Sequence, residues 1–149
     1  MFADLIGSNE IKFFVDLGLA LLCGLLIGAE RELKGKPAGI STQTLVITGA
    51  MLFTFMSHAW GMGDGTRIAA QVVSGIGFLG AGVILKSKDT KEVDNLTTAA
   101  SIWYAAAIGM ALGFNFHVIA VAAAVYAVLI ARIPNLPKRH KKHPDHDDT

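Results

Sequence analysis

Four groups of residues in this sequence are of types that do chemistry. The first is polar and flanks long apolar tracts: Glu30 and Arg31; Ser41, Thr42 and Thr44; Asp94, Asn95, Thr97 and Thr98. Carboxylates, a guanidinium and hydroxyls at the edge of an apolar tract can bind an ion, form an ion pair or cap a helix. The second group is Asp16, Arg67 and Gln71. The third is the match Gly75-x-Gly77-x-x-Gly80, the spacing of a dinucleotide-binding turn. The fourth is the terminal stretch "PKRHKKHPDHDDT". There, His140, His143 and His146 alternate with Asp145, Asp147 and Asp148 and could bind a transition metal weakly.

The elements that must carry these residues decide among the chemistries. Asp94 lies 19 residues after Gly75, near the distance expected of a ribose-binding acid. A dinucleotide fold also needs alternating strands and helices. The segments around Gly75 are too long and too apolar for that. Of the 149 residues, 52% are hydrophobic and 17% charged, with mean hydropathy +0.49. A soluble domain carries roughly a quarter of its residues charged. Here the charges gather in residues 30–36, 86–94 and 132–148. The expected fold is therefore all-α, a polytopic membrane helix bundle. The net charge of +1 gives no reason to expect nucleic acid as a partner.

Five apolar segments are long enough, or nearly so, to cross a bilayer: Ile11–Ala29, Ile40–Trp60, Ile68–Leu85, about Leu96–Leu112 and about Phe116–Ala131. Residues 1–133 form the membrane domain on this reading, and residues 134–149 a disordered basic, His-rich cytoplasmic tail that binds anionic lipid. The sequence "GFNF" joins the last two spans in a tight hairpin. Asp4 and Glu10 replace the basic region of a signal peptide, so the first span is expected to be retained. With the N-terminus outside and five crossings, only Lys12 and Arg67 of the 13 lysines and arginines fall outside. One cysteine, Cys23, rules out an internal disulfide and reads as a small apolar helix residue.

Small residues recur through the spans. Gly24 and Gly28 lie one turn apart in the first. Gly75, Gly77, Gly80 and Gly82 thin the third. Thr97, Ser101, Ala105, Gly109 and Gly113 form a ridge along the fourth. Small residues let helix backbones approach closely where lipid supplies no hydrophobic drive, so these positions are expected to pack helices within the chain or across a homodimer. On the inner side, Glu30, Arg31, Thr42, Asp94, Asn95, Thr97 and Thr98 share one depth and make a candidate polar cluster. Simpler readings compete with it: Asn95 or Thr97 as the cap of the fourth helix, and Glu30–Arg31 as an interfacial ion pair. On the outer side an Asp16–Arg67 pair is expected, with Gln71 one turn deeper. His58 and His117 have no acid or serine convincingly beside them, and no catalytic constellation or cofactor site is expected.

Three blocks resemble the MgtC/SapB family of bacterial inner-membrane proteins: "GLLIGAERELKGKPAGIST", Gly24 to Thr42; "RIAAQVVSGIGFLGAGVIL", Arg67 to Leu85; and "NLTTAASIWYAAAIGMALG", Asn95 to Gly113. Ser41 stands where the family usually has Arg, and Asn95 where it usually has Gly. The resemblance is to members without the soluble C-terminal domain that many carry. It implies an inner-membrane protein linked to magnesium homeostasis, acid and low-magnesium stress and virulence. It further implies regulation of another membrane complex such as the F-type ATP synthase or a cation transporter. The other function it leaves open is transport of magnesium or another cation. Magnesium takes oxygen ligands, so a conduction path should show inward-facing carboxylates near mid-membrane. None lies deep in the third or fourth span, which favours the regulator.

Overall fold

The computed structural model describes residues 7–59, 66–85 and 95–133. Over these it is all-helical: α1 Ser8–Leu33, α2 Ile40–Ala59, α3 Thr66–Leu85, α4 Leu96–Gly113 and α5 His117–Ala131. Gly75, Gly77 and Gly80 lie inside α3, not in a strand-to-helix turn, so the backbone geometry of a dinucleotide fingerprint is missing there. Three helices, α1, α2 over Ile40–Ser57 and α4, are long and apolar enough to cross a membrane. Two shorter apolar stretches accompany them, Ala69–Ile84 and His117–Ala131.

Helix ends follow from local chemistry. Gly35, at φ +61°, donates its N–H to the Glu32 carbonyl at 3.0 Å, and Lys36 donates to Arg31 at 2.9 Å. This pairing satisfies the last carbonyls of α1, and Pro37 prevents further helix. Helix α4 ends the same way on an asparagine. Asn115 has φ +65°; its N–H donates to Leu112, and that of Phe116 to Ala111, both at 2.8 Å. The "GFNF" hairpin thus owes its tightness to Asn115, one of the few residues besides glycine at home in the left-handed region.

Helix α2 lies between α1 and α4, with which it makes its largest contacts. Helix α3 lies against α4 and more lightly against α2, while α5 lies against α1 and α4. The core combines Ala20, Cys23 and Ile27 of α1 with Ile47 and Met51 of α2, Ile108 and Leu112 of α4, and Ala120 and Ala124 of α5. Along α1 the buried positions Asp16, Ala20, Cys23, Ile27 and Arg31 fall at three- and four-residue steps, which makes one face of the helix.

Four glycines set the closest approaches. A Cβ on Gly24 would stand 2.6 Å from the Thr44 Cα; on Gly28, 2.6 Å from the Ile40 nitrogen; on Gly113, 2.6 Å from the Thr54 Cβ. On Gly109 it would strike the Ile47 carbonyl. For α3, packing within the chain is confined to one of the four glycines. Gly75, Gly77 and Gly82 have no neighbour within 4 Å of a would-be Cβ, and Gly80 meets Ala99 only at ordinary contact, 3.8 Å. Helix α3 presents Ala69 and Gly80 to the bundle and turns its other glycines outward. The small-residue ridge of α4 is also shifted. Ala105, Gly109 and Gly113 are buried, but at the start of the helix the buried threonine is Thr98 and Thr97 is exposed.

Candidate functional site

The Arg31 end of α1 organises the principal site. Arg31 is 2% exposed. Its Nε and Nη2 donate to the Pro37 carbonyl at 3.1 and 3.0 Å, and Nη2 also donates to Thr98 Oγ1. One guanidinium therefore ties α1, the turn to α2, and α4 together. A planar fork with five N–H donors suits such a junction better than a lysine would. Beside it, Gln43 of α2 is fully buried. Its Nε2 donates to the Ala38 carbonyl at 3.2 Å and to Ser101 Oγ at 3.1 Å, and Ser101 in turn donates to the Thr98 carbonyl at 2.8 Å.

The turn these side chains grip is strained. Ala38 sits at φ +61°, a left-handed conformation that costs an L-residue with a Cβ about 1–2 kcal/mol. Arg31 holds the carbonyl before it and Gln43 holds its own, so the network over-determines an unfavourable backbone. Glu32 Oε1 accepts from the Ile40 N–H at 2.9 Å and starts α2.

Glu30 is buried at the same level. It pairs with Lys34 at 2.7 Å, one turn on, rather than with Arg31, which is spent on Pro37 and Thr98. The expected Glu30–Arg31 ion pair is thus replaced by Glu30–Lys34. Lys34 Nζ also donates to the Ala131 carbonyl at the end of α5. Glu30, Arg31, Lys36, Ser101, Tyr104 and Tyr126 line a cavity of about 240 Å³ between α1, α4 and α5.

Of the cluster expected here, Glu30, Arg31 and Thr98 converge. Thr42 and Ser41 are exposed on the first turn of α2, and Thr97 is exposed on α4. Asp94 lies outside the described residues, as do the tail histidines and aspartates. Asn95 occupies the N-cap position of α4 but makes no side-chain cap; its φ of +65° lies in the left-handed region that favours glycine and tolerates asparagine. Sequence reasoning missed Gln43, which it placed nowhere. The available signal was a glutamine three residues after the start of an uncharged span, at a position where a membrane helix must satisfy it.

A second polar site lies at the other end of α1. Asp16 is 1% exposed, and its Oδ1 is 2.6 Å from Nε2 of His117, the first residue of α5. The other oxygen, Oδ2, is buried without a hydrogen-bond partner. The expected Asp16–Arg67 pair is therefore corrected, as is the view of His117 as lacking an acid. Arg67 is exposed on α3, which does not contact α1, whereas α5 packs along α1 and brings its first residue to Asp16. This contact ties the first turn of α5 to α1. Gln71 is exposed and lines an apolar groove of about 490 Å³ between α2 and α3 with Leu45, Phe53 and Gly75.

Among the described residues no three His, Cys, Asp or Glu side chains converge as metal ligands. Each of the buried carboxylates, Asp16 and Glu30, is bound to a basic side chain.

A family model described as the MgtC family matches residues 17–138. The chain is 42% identical to Protein SapB of Bacillus subtilis over 110 residues, 68% of this chain and 47% of that protein. It is 46% identical to Protein MgtC of Salmonella typhimurium over 103 residues, 69% and 44% of the two chains. With Protein MgtC of Brucella abortus the identity is 45% over 112 residues, 74% and 46% of the two. The chain spans about half the length of the curated relatives it matches. No solved structure matches it.

Proposed function

The chain belongs to the MgtC family, and from that premise we propose that it is a multi-pass protein of the bacterial cytoplasmic membrane that serves magnesium homeostasis as a regulator. It acts by docking helix to helix on another membrane complex. All five helices cross, with the N-terminus outside and the basic residues after α1 and α5 inside. The observation that carries this reading is the outward face of α3. Gly75 and Gly82, seven residues apart and so on one face, meet nothing within 4 Å, nor does Gly77, and Phe78 beside them is 82% exposed. A partner helix can approach such a backbone closely. The F-type ATP synthase, or a cation transporter, is the class of complex that the family resemblance suggests.

The buried carboxylates support regulation over transport. Magnesium keeps several waters and binds through free carboxylates. Asp16 and Glu30 are each engaged with a side chain of this chain, His117 and Lys34, and they lie toward opposite ends of α1. The decisive experiment places the purified protein in liposomes loaded with a magnesium-sensitive dye, beside affinity purification from native membranes. The expected result is no protein-dependent flux, together with co-purification of a membrane complex that Gly77→Leu abolishes. Flux that disappears in Glu30→Ala overturns the regulator in favour of a cation transporter.

A further inference from the structure

A second lipid-facing groove runs between α1 and α5. Its walls are Leu22, Leu26 and Leu33 of α1 with Val128 of α5, and its volume is about 360 Å³. The three leucines are exposed. Glu30, Lys34 and Arg132 also line it. From Leu22 to Leu33 the groove follows about 16 Å of helix, close to one leaflet of a hydrocarbon core of ~30 Å.

The charges at the mouth do not cancel. Lys34 is engaged with Glu30 and the Ala131 carbonyl, which leaves one of its three N–H donors free. Arg31 is turned inward to Pro37 and Thr98. Arg132 is exposed, and its side chain forms no hydrogen bond or ion pair with the described residues. One positive charge is thus left over, on a fork that matches phosphate oxygens bidentately.

We propose that this groove binds one anionic phospholipid, its phosphate between Arg132 and the free donor of Lys34 and one acyl chain along Leu33, Leu26 and Leu22. The inference rests on the membrane placement given above. A headgroup with net charge −1 neutralises the leftover cation. A zwitterionic headgroup brings its own ammonium to a place already occupied by Arg132 and Lys34. The bound lipid bridges the last turn of α1 to the last turn of α5, where Lys34 already reaches the Ala131 carbonyl.

The test is native mass spectrometry of the full chain released from micelles containing equal amounts of phosphatidylglycerol and phosphatidylethanolamine. One phosphatidylglycerol should be retained per chain, in clear excess over phosphatidylethanolamine. Arg132→Gln should lower that retention about fivefold, the effect of one basic side chain at an anionic surface. Arg67→Gln, an exposed arginine on α3, should leave it unchanged. Equal retention of the two lipids by the wild type overturns the site, and so does an equal loss in both variants. Displacement of the lipid by millimolar inorganic phosphate would show a small-anion site instead and likewise overturns it. Retention of neither lipid overturns the site as well; failure of the membrane placement would show separately, as wild-type protein that stays in the soluble fraction of lysed cells.

Discussion

Helices α3 and α4 are both rich in glycine, yet they use it in opposite ways. In α4, Gly109 and Gly113 lie under the Ile47 and Met51 carbonyls of α2, and no side chain fits between them. In α3, Gly75, Gly77 and Gly82 face open space. The same residue type is therefore structural in one helix and available in the other. Glycine spacing alone carries no information on this; it depends on which face the rest of the helix commits to the bundle. Helix α4 is buried along Thr98, Ile102, Ala105, Gly109 and Leu112, and α3 only at Ala69 and Gly80 among its described positions.

The largest effect that can break this contrast comes from leucine in each helix. Gly109→Leu must drive α2 and α4 apart, at a cost of about 3 kcal/mol, a large share of the roughly 5–15 kcal/mol that keeps a domain folded. Gly77→Leu should leave the protein folded and remove co-purification of its partner. Fluorescence-detected size exclusion of tagged variants reads both. Loss of the monodisperse peak in the two alike would erase the difference between the helices.

A single methyl gives the next effect. Gly28→Ala places a Cβ against the Ile40 backbone where α2 begins, and backbone can yield less than a side chain. A loss of about 2 kcal/mol is expected, read as a lowered midpoint in thermal unfolding in detergent. An unchanged midpoint would mean that the α1–α2 seam is looser than the α2–α4 seam.

These seams were largely legible in the sequence, because long uncharged tracts and small residues at helical spacing require helices that approach closely. Gly24, Gly28, Gly109 and Gly113 lie where such packing occurs. The site was legible only in part. Arg31 and Thr98 were candidates, but Gln43 was not, because a buried glutamine has no motif and is recognised only by what surrounds it. Ser101 was read as a small packing residue, though its hydroxyl joins Gln43 to Thr98. The outer pair was misassigned for a topological reason. Both Arg67 and His117 fall at the right depth for Asp16, and only the order of helices around α1 chooses between them.

That choice gives a third, smaller effect. Helix α5 has no glycine seam; it meets α1 through Ala120, Ala124, the Asp16–His117 bond and, at its other end, the donation from Lys34 to the Ala131 carbonyl. A double-mutant cycle with Asp16→Ala and His117→Ala should show a coupling of about 1.5 kcal/mol, as for a hydrogen bond to a charged group. The same cycle with Arg67→Ala should show none. Strictly additive losses at Asp16 and His117 would leave the first turn of α5 attached by apolar contact alone.

The smallest effect is the most discriminating, because its sign is opposite. Alanine is the better helix former, and glycine in a helix costs roughly 0.5–1 kcal/mol relative to it. Where a glycine has no neighbour, the added methyl meets nothing and the propensity gain remains. Gly82→Ala should therefore raise the unfolding midpoint slightly, while every substitution at a seam glycine lowers it. The stabilised variant then asks why glycine stands at this position at all. If the α3 face docks on a partner, Gly82→Ala should weaken co-purification even as the protein itself becomes more stable. Greater stability with undiminished co-purification would confine docking to the Gly75–Gly77 part of the helix.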